Sequence, residues 1–345
     1  MPLLSSTPSS TRPARRRALA AATAASATLV VLALAACGTT EDPAAADASP
    51  TIAATSAGPV DVTDERGAVH LDAPATKVVS LEWGLTENLV ALGVKPVGEA
   101  DVKGYNTWDT SAPIDASTPD VGTRGEPSLD AIVALHPDLV VVTTDLPENV
   151  IKQIEKKVPV LALRGSDGSD PIGYMRRTVD TLAQVTGTQA QGEKVLADFD
   201  AKIDSAKADL EKAGKTGAPF TMADGWVDNG TVSVRMYTPG SFFGGIGAEL
   251  GLKNQWTTGG DKDYGLATTD VEGLTKVTDA DTTFVYAASD SEADPFADGL
   301  KDNKVWKQLP FVEAGHVKRI PDGIWMFGGP LSAERYVDAL VDALS

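Results

Sequence analysis

The chain has 345 residues, 30 of them Lys or Arg against 48 Asp or Glu, for a formal net charge of -18. Such an acid excess repels nucleic acid and anionic lipid, and argues against either as a partner. One cysteine and three histidines without paired spacing, His70, His136 and His316, give no basis for a disulfide framework, a CxxC site or a histidine-based zinc site.

Residues 1–36 read as an export signal. Arg12, Arg15, Arg16 and Arg17 precede the uncharged, alanine-rich run from Ala18 to Ala36, which closes on small residues before Cys37. A plain transmembrane anchor is the alternative, since 19 apolar residues nearly span a bilayer, but alanine drives insertion weakly. The segment Leu34-Ala35-Ala36-Cys37 resembles the lipobox of bacterial lipoproteins, which implies that Cys37 becomes the first mature residue and carries lipid. Two or more acyl chains there would hold the protein firmly at a membrane, where one alone is marginal. The Pro/Ala/Asp-rich stretch that follows makes residues 37–59 a flexible tether. The signal contains four arginines and no acid, so the exported chain carries 26 basic against 48 acidic residues, a balance of -22.

Beyond the tether, short β-branched runs alternate with helical periods, the pattern of parallel strands joined by crossover helices. Strands are predicted at 78–81, from 96, at 139–143 and at 160–163, with helices over 86–92, 127–135 (Pro127 in its first turn) and 148–157. Residues 60–187 thus form an α/β lobe. Over 188–213 the apolar positions Val195, Leu196, Phe199, Ile203, Ala206 and Leu210 recur every three or four residues, a single amphipathic helix of ~39 Å. The alternation then resumes, with strands at 219–222, 231–237 and 283–287 and helices at 241–250 and 331–344, in a second lobe spanning 215–345 joined to the first by the helix of 188–214. The fold class is α/β: two lobes with mostly parallel sheets, one long rigid helix between them, and a cleft of the kind that holds small ligands.

Loops at the carboxyl ends of parallel strands face that cleft. Trp83 follows the first strand, Tyr105 and Trp108 lie in the loop after the second, and Arg124 sits between Gly122 and Gly125 just before a helix. Core packing is the favoured reading for Trp83 and ligand contact for Trp108, which has little nearby to bury it. In the strand 231–237, Val232, Val234 and Met236 point one way and Ser233, Arg235 and Tyr237 the other. Arg235 then requires an acceptor, either an internal carboxylate or a ligand oxygen. Two Gly-rich loops add Tyr264, Trp325 and Phe327. Rings and guanidinium groups around one cleft describe a pocket for a large ligand with oxygen acceptors and apolar surface. No G-x-S-x-G elbow, phosphate loop or Rossmann glycine fingerprint is present.

Four segments in order, SLEWGLTENLVALGVKPVGEADVKGYNTW, VGTRGEPSLDAIVALHPDLVVV, YTPGSFFGGIGAELGLKNQW and WKQLPFVEAGHVKRIPDGIWMFGGPLSAERYVDAL, resemble the iron-siderophore substrate-binding proteins of ABC importers, above all the ferric hydroxamate-binding branch. The resemblance runs from about residue 60 to the end. It implies a monomeric receptor without catalytic activity, with Trp108 and Arg124 lining the pocket from the first lobe and Arg235, Tyr264, Trp325 and Phe327 from the second. It also implies that iron is held by the siderophore and by no side chain or separate cofactor. Hydroxamate-binding relatives often have Trp or Tyr where this chain has Tyr264 and Phe327, so one possible phenol contact is lost at Phe327. Glu126 and Glu272 match the acidic residues, one per lobe, through which relatives dock on permease arginines; an acid beginning a helix is also favoured by the helix dipole. The implied role is capture of a ferric siderophore, hydroxamate or citrate-hydroxamate, and its delivery to a permease driven by an ATPase. Haem or cobalamin is the alternative cargo, Tyr105, Tyr237 and Tyr264 being available to a haem iron, and a surface lipoprotein enzyme is the alternative from another class.

Overall fold

The structure is a computed structural model that describes residues 58–345. The signal, Cys37 and nearly all of the tether lie outside the described residues. Among the described residues no helix is long and apolar enough to cross a membrane.

The chain enters through an antiparallel hairpin, β1 (Val60–Asp64) and β2 (Gly67–Leu71), to which the sequence reading assigns no element. Asp64 builds its turn: Oδ1 accepts from the N–H groups of Arg66 at 2.7 Å and Gly67 at 2.9 Å. Oδ2 accepts from the Ala162 N–H at 2.8 Å and ties the hairpin to the first sheet. That sheet is wholly parallel, in the order β4 (Gly98–Glu99), β3 (Val78–Ser80), β5 (Leu139–Thr143), β6 (Val160–Leu163). Every residue of β5 and β6 is buried, as near-continuous apolar strands covered on both faces require.

The helices around this sheet are α1 (Trp83–Ala91), α2 (Val102–Trp108), α3 (Leu129–Ala134), α4 (Glu148–Glu155) and α5 (Pro171–Thr186). Four differ from expectation. Helix α1 begins three residues early because Glu82 caps it, its carboxylate accepting from the Trp83 N–H. The segment holding Tyr105 and Trp108 is the helix α2, capped by Asp101, rather than a loop. Pro127 lies outside α3, whose N-cap is Ser128. The sixteen-residue α5 is missed, although Asp170 and Pro171 mark its start.

Helix α6 (Gln189–Lys212) spans ~36 Å and serves two cores. Leu196 packs on the first lobe's cluster with Leu92, Val179 and Leu182. From Phe199 onward, Ile203, Ala206 and Leu210 join a cluster that contains Phe220, Met222 and Phe243 of the second lobe.

The second sheet is mixed, in the order β10 (Leu266–Thr269), β8 (Thr231–Tyr237), β7 (Pro219–Asp228), β11 (Thr283–Tyr286), β12 (Val317–Arg319), with β9 (Lys253–Asn254) beside the start of β7. Strand β8 is antiparallel to both β7 and β10. The cause is local: Asn229 and Gly230 both take positive φ, 49° and 80°, and form the two-residue turn that returns β8 along β7. Helices α7 (Phe242–Glu249), α8 (Lys304–Lys307), α9 (Pro310–Glu313) and α10 (Pro330–Leu344) complete the lobe.

Strand β8 alternates as expected, with Val232, Val234 and Met236 buried on one face against a cluster centred on Phe284. The Phe284 ring lies 5.0 Å from Phe311, 5.2 Å from Phe296 and 5.4 Å from Trp306, centroid to centroid. Phe284→Ala removes the shared partner of all three. The expected loss is about 3–5 kcal/mol of stability, read as a lowered urea midpoint; a shift within error would show that this cluster does not hold the lobe.

Candidate functional site

The carboxyl ends of β3, β5 and β6 deliver Glu82, Asp145 and Arg164 to one side of the cleft, and the segment after β4 delivers Arg124. Opposite them, the middle of β7 delivers Asp224, the segments after β11 and β12 deliver Ser289 and Asp322, and the chain beyond β12 adds Trp325 and Phe327. Two connected chambers result, one of about 570 Å³ and one of about 310 Å³. Arg124 and Phe327 line both and form the boundary between them.

All six residues expected in the pocket reach these chambers. Trp108, Arg235 and Trp325 line the larger, Tyr264 the smaller, and Arg124 and Phe327 both. A chain of edge-to-face contacts crosses from one lobe to the other: Trp83 to Trp325 at 5.0 Å, Trp325 to Phe327 at 5.3 Å, Phe327 to Tyr264 at 5.4 Å. Such contact needs close backbones. A Cβ on Gly84 would meet the Phe327 carbonyl oxygen at 2.3 Å, so only glycine allows α1 to approach that loop. Trp83 is both core and pocket: 5 % exposed, its Nε1–H donating to the Ala100 carbonyl at 3.1 Å, it still faces the larger chamber. The indole Nε1–H of Trp325 is buried and has no acceptor among the described residues.

Each cleft arginine is already paired with a carboxylate. Arg124 lies over the Trp83 ring at 3.9 Å and donates from Nη1 to Glu82 Oε1 at 2.9 Å. Arg235 grips Asp224 in a fork, Nε to Oδ1 at 2.9 Å and Nη2 to Oδ2, so the internal carboxylate answers the question its strand position raised. Asp224 stands directly opposite Arg235 in the β7–β8 register. Tyr237 also donates to Asp224 Oδ2, at 3.1 Å, and burial pushes its phenol well above the usual range, so it stays a neutral donor. None of the three tyrosines considered for a haem iron presents an unengaged phenol: Tyr105 is buried in α2 and donates to the Ala112 carbonyl at 2.5 Å, Tyr237 is held by Asp224, and Tyr264 donates to Asp145.

Sequence reasoning missed Glu82, Asp145, Asp224 and Trp226. Asp224 was accessible through the Asn-Gly turn, because that turn sets the register that places it across from Arg235. Trp226, two residues on and so on the same strand face, is 45 % exposed at the rim of the larger chamber. Glu126 and Glu272 are exposed, one in each lobe, and their carboxylates enter no ion pair among the described residues. Glu126 does not begin a helix, lying two residues ahead of the α3 cap; Glu272 occupies the cap position of the 3-10 turn Gly273–Lys276.

Beneath Arg124 lies a second layer of buried acid. Burial pushes the Glu82 carboxyl up against the opposing pull of Arg124, and pushes Glu99 well above its ordinary 4.5 despite a hydrogen bond from Thr86. Glu99 is fully buried and its Oε1 has no partner. As the pH rises above about 4.5, the unfolded carboxyl releases its proton before the folded one does, so the folded state binds more protons and stability falls with pH. Glu99→Gln is expected to flatten that fall and to raise the midpoint of thermal unfolding at pH 7 relative to pH 5; an unchanged pH slope would show that Glu99 does not retain its proton in the fold.

Comparison with known proteins agrees with this geometry. Residues 78–323 match the family described as Periplasmic binding protein. The iron(3+)-hydroxamate-binding protein FhuD of Escherichia coli (strain K12) is 29 % identical over 268 residues, 78 % of this chain and 86 % of that protein. The Fe(3+)-citrate-binding protein YfmC of Bacillus subtilis (strain 168) is 29 % identical over 280 residues, covering 79 % and 82 %. Among solved structures, the Fe3+-Desferal-bound siderophore-binding protein FhuD from Vibrio cholerae superposes with a TM-score of 0.69 at 26 % identity, over 78 % of this chain and 97 % of that one. With two α/β lobes closing on an aromatic, arginine-bearing cleft and a match over most of its length, this chain belongs to the periplasmic binding protein family.

Proposed function

We propose that the protein is the extracytoplasmic binding component of an ABC importer and captures a ferric siderophore, of hydroxamate or citrate-hydroxamate type, for delivery to a permease driven by an ATPase. In this reading residues 1–36 are the signal peptide, Cys37 carries the lipid anchor, 37–59 tether it, and the lobes 60–187 and 215–345 flank the helix of 188–214. The protein acts as a monomer and does no chemistry; the iron travels inside the siderophore.

The observation that carries this reading is the larger chamber itself. Its guanidinium groups are fixed in place by Glu82 and Asp224, so they present remaining N–H groups without the entropy cost of ordering a loose side chain. The unpaired Nε1–H of Trp325 supplies a further donor at the same wall, and Trp108 and Phe327 supply flat apolar surface. Iron-bound hydroxamate oxygens are acceptors on an apolar scaffold, which is the complement of that set. Charge points the same way. The larger chamber carries Arg124 and Arg235 against Asp224, Glu292 and Asp322, so it has no surplus of cation for a highly anionic chelate. The likeness to the hydroxamate-binding and citrate-binding relatives supports the cargo class.

Intrinsic tryptophan fluorescence, titrated with ferric hydroxamate, citrate-hydroxamate and catecholate siderophores, haem and cobalamin, tests the reading. Saturable quenching by a ferric siderophore and not by its iron-free form is the expected result, whereas saturation by haem or cobalamin alone would replace the cargo. Arg124→Ala and Arg235→Ala should each weaken binding by about ten- to a hundredfold, the worth of a hydrogen bond to a charged group. Unchanged affinity in both would refute the pocket. Glu126→Ala and Glu272→Ala should leave affinity intact and lower siderophore-dependent uptake by cells, since both carboxylates are exposed on separate lobes for contact with permease arginines. Normal uptake by the double variant would remove the docking role.

A further inference from the structure

The smaller chamber is built differently from the larger one. It opens beside Arg124 and Phe327 and runs back toward α5, with a volume of about 310 Å³. Both arginines that line it are engaged: Arg124 with Glu82 at 2.9 Å, Arg164 with Asp167 and, at 3.5 Å, with Glu65. One carboxylate, by contrast, is open. The exposed Asp145 accepts on Oδ2 from Tyr264 and, at 3.2 Å, from Thr143, while among the described residues its Oδ1 receives no hydrogen bond and no cation pairs with it. Asn88, 3 % exposed, donates from Nδ2 to the Gly84 carbonyl at 2.7 Å, and its Oδ1 is buried without any partner. The rings of Tyr264 and Phe327 stand at the entrance, and Leu85 and Met175 make the inner wall apolar.

The complement of this chamber is a slender group with an aliphatic stem and a cationic head rich in donors. We propose that it takes a primary ammonium group on an alkyl arm of the ligand, while the iron-bearing body stays in the larger chamber. This rests on the siderophore-receptor reading and narrows it to complexes that carry a free amine. The ammonium brings a positive charge and three donors, Asp145 Oδ1 is the acceptor open to it, and the rings of Tyr264 and Phe327 lie beside it.

The test compares two ferric complexes on the full chain by tryptophan quenching: that of Desferal, a linear trihydroxamate ending in a primary amine, and that of its N-acetylated form, which loses the charge and two donors and gains an acetyl group; the Asp145→Asn variant separates the loss of charge from the added bulk. The expected result is a preference of roughly tenfold for the free amine, shrinking as salt is raised. In Asp145→Asn the preference should fall to near one. Equal affinity of the two complexes in the unsubstituted protein overturns the ammonium chamber and leaves the receptor reading standing. So does binding of neither when another ferric siderophore quenches, and so does a preference that survives Asp145→Asn. Silence toward every ferric siderophore overturns the receptor reading and the chamber with it.

Discussion

The rest of the structure depends on one continuous apolar cluster that ignores the division into lobes. It runs from Phe199, Ile203 and Leu210 of α6 through Tyr336, Val337 and Leu340 of α10 to Trp83 and Tyr105 of the first lobe and Trp325 of the second. Close-packed interiors resist shear, so a shared core holds the two lobes at nearly fixed separation. Polar contacts reinforce it. Glu87 of α1 accepts at 2.8 Å from the Ser332 N–H in the first turn of α10, which puts a first-lobe carboxylate at the N-terminus of a second-lobe helix. At the far edge the Gly168 N–H donates to the Lys262 carbonyl at 3.1 Å. A receptor built this way meets its ligand with a cleft already formed and moves little on binding.

That rigidity explains the electrostatics of the site. An arginine over an aromatic ring inside a cleft is useful only if it is held still, and a buried carboxylate partner does that for Arg124 and for Arg235. Breaking such a pair leaves an uncompensated charge, so the fixed geometry is strongly maintained. The consequence for function is selectivity. Guanidinium groups neutralised in place offer direction and hydrogen bonds without a net positive field. The leftover acceptors of the smaller chamber extend the same logic to the ligand's periphery.

How much was legible in the sequence varies with the kind of signal. Strands β5 and β6 were readable to the residue because a short run of buried β-branched and aliphatic residues between turn signals has few other solutions. The long α6 was readable from its period. Helix α5 was not, although its start was marked, because it follows directly on a Gly/Ser/Asp-rich segment that reads as loop. The aromatic and arginine residues of the cleft stood out because they interrupt loops or strands that have no local use for them. Their carboxylate partners did not, since Glu82, Asp145 and Asp224 are three acids among 48.

Composition and periodicity by themselves pointed to the two α/β lobes and the single connecting helix, because each of these is written in local pattern, and the ordered motifs of the resemblance singled out the six residues that line the chambers. Tertiary structure alone decided that Arg235 is answered by Asp224, that Trp83 is both core and wall, and that the cleft holds two chambers that meet at Arg124 and Phe327. Those properties depend on which side chains from distant segments come within hydrogen-bonding distance, and that distance is set by the packing of whole elements, which no local pattern encodes.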